Sequence, residues 1–207
     1  MTEAEKNVVG VVLAGGLGRR MGGGDKFLRP VGGVTLLERV IERARPQVKD
    51  LLLNVNGDPA RLPPPGLDVR ADVVEGFAGP LAGVLTGMAW ATERHPDARW
   101  LATFAADTPF FPGDLVARLL EPIAAGGAPL ACAASDGRTH PVFGLWPVAL
   151  MDDLRAALEG GERKIDRFTG RHGVVSVAFD AVPFDPFFNV NTADDLARAE
   201  AVAGAAP

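Results

Sequence analysis

The sequence predicts an α/β fold with three α/β/α layers around a mostly parallel central sheet. Apolar runs of strand length alternate with helical patterns, the first run ends in glycines, and the composition is globular, with 47% hydrophobic and 23% charged residues. Strands that alternate with helices are typical of parallel sheets whose right-handed crossovers place helices on both faces. We expect a single domain over residues 1–207, with an ordered core from about residue 7 to 203, because this length supports one sizeable core.

The first half of the chain is expected to run strand, helix, strand, strand. Short apolar runs predict strands at residues 8–14, 50–55 and 67–70. Thr35 and Glu38 have the spacing of a capping box, and the apolar repeat that follows Thr35 continues at helical spacing until Pro46. A helix therefore connects the first two strands.

The second half continues the alternation of helices and strands. Helical spacing predicts helices at residues 83–94, 115–120, 148–158 and 196–202, and apolar runs predict strands at 100–105, 129–134, 142–146 and 174–179. Thr192 is expected to cap the last helix, with Asp194 and Asp195 in its first turn. Cys132 is the only cysteine, so one chain cannot form a disulfide or a multi-cysteine zinc site, and we expect it to be buried in a strand.

Composition also excludes several classes of partner. A net charge of −5 gives no electrostatic basis for binding nucleic acid, which depends on a basic excess. No segment approaches the roughly 18 apolar residues of a membrane helix. The first six residues are polar and acidic, unlike a signal peptide. We therefore expect a cytoplasmic protein that binds neither nucleic acid nor membranes.

A glycine-rich loop follows the first predicted strand. It reads AGGLGRRMGGGDK over residues 14–26, and glycine lets backbone amides approach phosphate oxygens at the carboxyl end of a strand. A dinucleotide-binding motif would need glycine at Met21, and a Walker A loop would need serine or threonine at Phe27. A flexible surface loop would explain the glycines but not Met21, Arg19 and Lys26. The loop therefore predicts a phosphate site of another kind.

Asp107 is the candidate metal ligand. It follows the apolar run 100–106 and enters a proline-stiffened turn, which places a carboxylate at the mouth of the predicted sheet. Mg²⁺ prefers oxygen ligands and commonly takes one or two carboxylates together with waters and substrate phosphates. Asp107 could instead cap the next helix, but Asp114 is better placed for that role. We predict metal binding for Asp107 and capping for Asp114.

The run from Leu13 to Lys26 resembles the signature of GT-A-like nucleotidyltransferases, which include sugar-nucleotide pyrophosphorylases and molybdenum-cofactor enzymes. The resemblance implies a Rossmann-like nucleotidyltransferase fold. It also implies that the loop backbone surrounds a nucleotide, that its arginine and lysine neutralise the phosphates, and that an aspartate after a later strand binds magnesium.

Across nearly the whole chain, five stretches resemble molybdenum cofactor guanylyltransferases. After the glycine-rich loop they lie at residues 79–83, 107–109, 140–141 and 189–192. The resemblance implies transfer of GMP from GTP to the terminal phosphate of molybdenum-molybdopterin, which forms the guanine dinucleotide cofactor and releases pyrophosphate. Gly15 favours this branch, because related cytidylyl enzymes usually read Ala-Ala-Gly there. Molybdenum-insertion proteins and apo-molybdoenzymes are the protein partners it suggests.

The resemblance also implies three sets of site residues. The catalytic set is Arg19, Lys26 and Asp107, with Mg²⁺ on Asp107. The GTP-binding set is Leu13, Ala14, Gly15, Gly16, Arg19, Gly22, Lys26, Asn54, Asp72, Pro80, Leu81, Gly83 and Asp107. The molybdopterin-binding set is His140, Arg163, Lys164, Asn189 and Asn191.

Structural roles are open for several of these residues. Asp72 could be a solvated loop acid, although its carboxylate could accept from the ring N–H and the exocyclic amine of guanine. Asn54 could be a turn residue, Asn191 could cap the last helix, and His140 could be a polar residue at a strand end. Arg163 and Lys164 could belong to a charged turn.

The implied reaction needs no enzymatic nucleophile, because the attacking phosphate is already ionised. Alignment and charge neutralisation can supply the catalysis. Two alternatives remain at this point. One is a related transferase that uses CTP with molybdopterin, or a sugar or lactate phosphate as acceptor. The other is a nucleotide-binding regulator without turnover.

Overall fold

The computed structural model describes residues 7–14, 26–57, 62, 66–74, 76 and 79–205. Its core is a seven-stranded sheet in the order β5-β4-β1-β6-β8-β7-β9. These strands are β1 Val8–Leu13, β4 Leu51–Asn54, β5 Asp68–Arg70, β6 Trp100–Ala105, β7 Leu130–Ser135, β8 Arg138–Pro147 and β9 Val174–Phe179. Only β8 among them runs antiparallel to its neighbours, which confirms the predicted mostly parallel sheet. A separate antiparallel pair joins β2 Pro30–Val31 to β3 Val34–Thr35.

Helices cover both faces of the sheet. They are α1 Leu36–Ala44, α2 Pro80–Arg94, α3 Leu115–Ala124, α4 Met151–Glu159, α5 Ile165–His172 and α6 Ala193–Ala205. Side chains of β1 alternate between two cores, since Val8 and Val12 pack with α1 and α3, whereas Val9 and Val11 pack with α2, α4 and α5. The predicted α/β/α layering is therefore confirmed.

A third apolar cluster attaches α6 to the β2–β3 pair. Its buried members include Val31, Phe110, Phe188 and Val190. The amide of Gly32 also donates to the Glu200 carboxylate at 2.8 Å. Through these contacts α6 is fixed beside the turn that follows β6.

Local signals located most elements correctly. The predicted capping box is present, because Glu38 N donates to Thr35 Oγ1 and the Glu38 carboxylate accepts from Thr35 N. Thr192 caps α6, where Asp195 N donates to its hydroxyl oxygen at 3.1 Å. Cys132 is buried in β7 as expected.

Several predictions differ from the structure. Helix α2 begins at Pro80 rather than Gly83, because proline suits the first helical position, and residues 148–150 form a 3₁₀ turn ahead of α4. Neither α5 nor the β2–β3 pair was predicted. Asp114 occupies the N-cap position of α3, but its side chain makes no capping hydrogen bond, so the predicted side-chain cap is wrong.

The strand order predicts a ligand crevice at the carboxyl edge of the sheet. β1 lies between β4 and β6, so the chain leaves the central strand with one parallel neighbour on each side. In open α/β sheets, ligands bind outside the carboxyl ends of the strands where the strand order reverses. None of the helices in the described part of the chain is both long enough and apolar enough to cross a membrane.

Candidate active site

Lys26 and Asp107 meet at this carboxyl edge. Lys26 begins a 3₁₀ turn before β2, and Asp107 lies two residues beyond β6. Lys26 Nζ donates to Asp107 Oδ2 at 2.6 Å and to Asn191 Oδ1 at 2.5 Å. The side chains of Lys26 and Asp107 are 19% and 24% exposed, so the pair is shielded from bulk water but reachable from the crevice. The structure thus brings together residues predicted for nucleotide and for acceptor binding.

The segment 189–191 is attached directly to the turn that carries Asp107. Val190 N donates to the Asp107 carbonyl at 2.9 Å. Thr108, which is fully buried, places its hydroxyl 2.8 Å from Asn189 Oδ1 and 3.2 Å from Asp107 Oδ1. Asn189 and Asn191 therefore flank the Asp107 carboxylate, although they lie more than 80 residues away in sequence.

The Asp72 carboxylate forms a second polar centre, beyond β5. Its Oδ1 accepts from Asn54 Nδ2 at 3.0 Å, and its Oδ2 accepts from Asn56 Nδ2 at 2.8 Å. Asp72 N in turn donates to Asn56 Oδ1 at 2.9 Å. Asn54 is only 2% exposed, and its amide also donates to the Arg70 carbonyl. An acceptor-only carboxylate is thus held in a fixed plane at the mouth of β4 and β5.

Backbone contacts connect the last residues of β1 to both polar centres. Ala14 N donates to the Asn54 carbonyl at 2.9 Å, and the Leu13 carbonyl accepts from Ala106 N at 3.1 Å. The end of β1 therefore lies between the strand that carries Asn54 and the strand that precedes Asp107.

Helix α2 starts at the same edge with the predicted stretch 79–83. Gly79 has φ +140°, and Pro80 occupies the first turn. Leu81 is buried in the core, so its backbone is the part that can face a ligand. A side chain at Gly83 would collide with Asn54 Oδ1 and lie 2.6 Å from Leu13 Cδ2, so glycine permits the close approach of α2 to β1 and β4.

The basic loop before α5 lies beside the start of α2. The Arg163 carbonyl is 3.9 Å from the position of a Cβ on Gly79. The Arg163 guanidinium donates to the carbonyls of Leu158 and Glu162, whereas Lys164 is exposed at the N-cap of α5. Hydrogen bonds from backbone amides, that of Lys164 first, lower the pKa of Glu162. The loop thus borders the crevice, with Arg163 already engaged by its own turn.

His140 lies in β8 and contacts neither Lys26 nor Asp107. Its Nε2 is 2.7 Å from Ser135 Oγ, and its ring stacks on Phe187 with centroids 4.8 Å apart. Ser135 Oγ donates to Asp185 Oδ1 at 2.8 Å. Burial lowers the pKa of His140, while the Asp185 charge raises it. His140 thus supports the segment that leads to Asn189 and Asn191.

The residues around Lys26 fit a hard cation. Two oxygens, Asp107 Oδ2 and Asn191 Oδ1, already lie within hydrogen-bond distance of one positive charge, the Lys26 ammonium group. Among the described residues, no group of three or more His, Cys, Asp or Glu side chains could hold a metal. A cation at this place would complete its coordination with waters and nucleotide phosphates, as Mg²⁺ commonly does.

Four predicted residues, Gly15, Gly16, Arg19 and Gly22, lie outside the described residues. Their proposed contacts remain predictions. Two residues in the site were not identified from the sequence. Asn56 follows Asn54 at a spacing of two, which places both side chains on one side of an extended chain. Thr108 sits beside Asp107, where its hydroxyl could have been recognised as a partner for a nearby amide.

Known proteins are similar to this chain in sequence and in fold. A molybdenum cofactor guanylyltransferase of Bradyrhizobium sp. (strain ORS 278) is 56% identical over 197 residues, covering 95% of this chain and 93% of the relative. One of Rhodopseudomonas palustris (strain BisB5) is 55% identical, covering 93% and 92%. The crystal structure of molybdopterin-guanine dinucleotide biosynthesis protein A from Archaeoglobus fulgidus superposes with a TM-score of 0.72 at 25% identity, covering 95% of this chain and 98% of that one.

The sheet with one reversed strand, and the Lys26–Asp107 pair at its carboxyl edge, are those of an α/β nucleotidyltransferase. The MobA-like NTP transferase domain matches residues 10–175. The chain belongs to that family.

Proposed function

We propose that the protein transfers GMP from GTP to the terminal phosphate of molybdenum-molybdopterin, with Mg²⁺ as cofactor. The observation that carries this proposal is the contact of Lys26 with both Asp107 and Asn191, because it joins two residues predicted to bind the nucleotide to one predicted to bind the acceptor. The curated relatives at 55–56% identity, named molybdenum cofactor guanylyltransferase, support the choice of substrates. We expect the cytoplasm as its location.

The proposed reaction is a phosphate-on-phosphate displacement. An oxygen of the acceptor's terminal phosphate attacks the α-phosphorus of GTP and forms the new P–O bond. The bond from the α-phosphorus to the oxygen that bridges to the β-phosphate breaks, and pyrophosphate leaves with that electron pair. Because the attacking oxygen is already anionic, no side chain has to remove a proton from it.

Residues of this chain would hold the reactants in line and balance their charge. Asp107 and Asn191 would supply oxygens to Mg²⁺, and the Lys26 ammonium would neutralise the phosphates, assisted by Arg19 from the glycine-rich loop. When bound, Mg²⁺ neutralises charge on the phosphates. Leu13, Ala14 and Gly15 would offer backbone to the nucleotide, and Asp72 would read the guanine edge. The acceptor would lie near Asn189 and Asn191, with Lys164 at the border of the crevice.

The decisive assay measures pyrophosphate release and product mass with molybdenum-molybdopterin and either GTP or CTP. We expect product with GTP and little with CTP. A preference for CTP would contradict the guanylyl assignment and favour a cytidylyl or other phosphate acceptor enzyme. A folded protein that binds GTP but releases no pyrophosphate would indicate a regulator.

Replacing Asp107 by asparagine tests the metal assignment. We expect Asp107→Asn to lower turnover by about 100-fold or more, because the charge that holds the cation is lost. Asp114→Asn is the matched control, since Asp114 also follows β6 but is exposed and makes no capping bond. Equal Mg²⁺ dependence in both variants would refute the role of Asp107.

A further inference from the structure

Asn54 and Asn56 hold the two oxygens of Asp72, but they differ in what else they do. Asn54 is buried in β4, donates also to the Arg70 carbonyl, and has its Oδ1 against Gly83. It is therefore part of the packing between sheet and α2. Asn56 lies beyond the strand end and is exposed. Its amide and the Asp72 backbone and carboxylate form a reciprocal pair at 2.8 and 2.9 Å.

We propose that Asn56 is a positioning residue for base selection, acting through Asp72. The inference rests on the proposed function and deepens it. The ring N–H and exocyclic amine of guanine are two donors side by side, so a carboxylate accepts both only when its plane is fixed. Each carboxylate oxygen has two lone pairs. One amide bond on each oxygen leaves one acceptor site on each for the base.

Fixing the plane matters because an aspartate can otherwise rotate about its last side-chain bond, a torsion with a broad and shallow preference. Asn54 alone anchors one oxygen and leaves the second free to swing. The Asn56 amide fixes that second oxygen, and the bond from Asp72 N to Asn56 Oδ1 fixes the amide itself. Replacing the Asn56 side chain should therefore reduce the discrimination between bases and leave the phosphate chemistry at Lys26 and Asp107 intact.

Inosine triphosphate separates this role from a structural one, because it differs from GTP only by the missing exocyclic amine. We expect Asn56→Ala to raise the KM for GTP with little change in kcat. It should also reduce the ratio of kcat/KM for GTP to that for ITP by about tenfold, which corresponds to one oriented hydrogen bond. If Asn56→Ala merely loosened the loop, kcat/KM would fall equally for GTP and for ITP, and that result would overturn the inference.

Two further variants sharpen the outcome. Asn56→Asp keeps the shape, lacks the donor and faces Asp72 with a like charge, so we expect a larger rise in the GTP KM than with alanine. Glu93→Gln is the matched control, because it breaks the Arg70–Glu93 ion pair that links β5 to α2 without touching Asp72. We expect the wild-type GTP-to-ITP ratio in Glu93→Gln. A ratio that falls equally in Glu93→Gln would overturn the inference.

Asp72→Asn distinguishes failure of this inference from failure of the base contact itself. If Asp72→Asn removes the discrimination between GTP and ITP but Asn56→Ala retains it, the positioning role of Asn56 is refuted and the Asp72 contact stands. If Asp72→Asn retains the discrimination, both are refuted. A wild-type protein that prefers CTP refutes the proposed function independently of either variant.

Discussion

Lys26 Nζ lies 2.6 Å from Asp107 Oδ2, although 81 residues separate the two. The same ammonium donates to Asn191 Oδ1, a further 84 residues beyond Asp107. The Lys26 ammonium group therefore connects the end of the glycine-rich loop, the turn after β6 and the segment before α6. In the proposed reaction, a divalent cation beside Asp107 would take the place that the Lys26 ammonium occupies here, so metal and nucleotide would have to displace the ammonium toward the phosphates.

We predict that Lys26→Gln separates turnover from metal binding. Loss of the positive charge should lower kcat/KM for GTP by about 100-fold, the typical effect of removing one group that stabilises transition-state charge. The affinity of the ligand-free protein for Mn²⁺, measured by electron paramagnetic resonance, should be equal or higher, because the ammonium no longer competes for Asp107. Lys49→Gln, at an exposed lysine, is the control. Weaker Mn²⁺ binding in Lys26→Gln would contradict the competition.

Close packing at Gly83 leads to a second prediction. Gly83→Ala places a methyl group against Asn54 Oδ1 and 2.6 Å from Leu13 Cδ2, so we expect a loss of about 1–3 kcal/mol in the free energy of unfolding. The GTP KM should rise too, because Asn54 holds Asp72. Gly170→Ala, which meets nothing within 4 Å inside α5, should instead stabilise by about 0.5–1 kcal/mol. Urea unfolding of both variants measures the contrast, and equal effects would refute the packing argument.

Sequence signals were sufficient wherever the structure is determined locally. The apolar run of β1, the Thr35–Glu38 capping box and the position of Asp107 after a buried strand each depend on a few adjacent residues. These signals located the crevice edge and its metal candidate. The membership of Asn191 in the same site needed the family resemblance, because no local pattern links a residue before α6 to one after β6.

Other features gave too short a local signal or depend on contacts between distant parts of the chain. Helix α5 is only eight residues long, and its only buried apolar side chains are Ile165 and Phe168, a single i, i+3 pair that is too short a pattern to predict a helix. By contrast, the reversed direction of β8 has a local cause, its two-residue connection to β7 through Asp136 and Gly137, which allows antiparallel pairing only. Asn56 contacts Asp72 only because β5 pairs with β4, which places Asp72 beside the end of β4.

Thr108 provides a third prediction, about the acceptor side. Thr108→Val keeps the buried shape but removes the donor to Asn189 Oδ1 at 2.8 Å and the longer contact with Asp107 Oδ1 at 3.2 Å, so we expect the KM for molybdenum-molybdopterin to rise about tenfold and the GTP KM to rise less. Thr108→Ser retains the hydroxyl and should restore the acceptor KM. Steady-state kinetics with each substrate varied in turn makes the comparison. A rise in the GTP KM alone would contradict the placement of the acceptor beside Asn189.

The environment of His140 predicts how stability depends on pH. Burial, the largest effect, lowers the pKa of His140 below its ordinary 6.5, aided by Arg138 and opposed by Asp185. The unfolded chain therefore binds the proton more readily, so the stabilisation from neutral His140 is present above about pH 6.5 and is lost as the pH falls through that value toward the lower folded pKa. We expect the Tm of the wild type to fall more than that of His140→Gln between pH 7.5 and 5. Because the other titratable groups are the same in both proteins, parallel Tm curves would show that burial does not hold His140 in its neutral form.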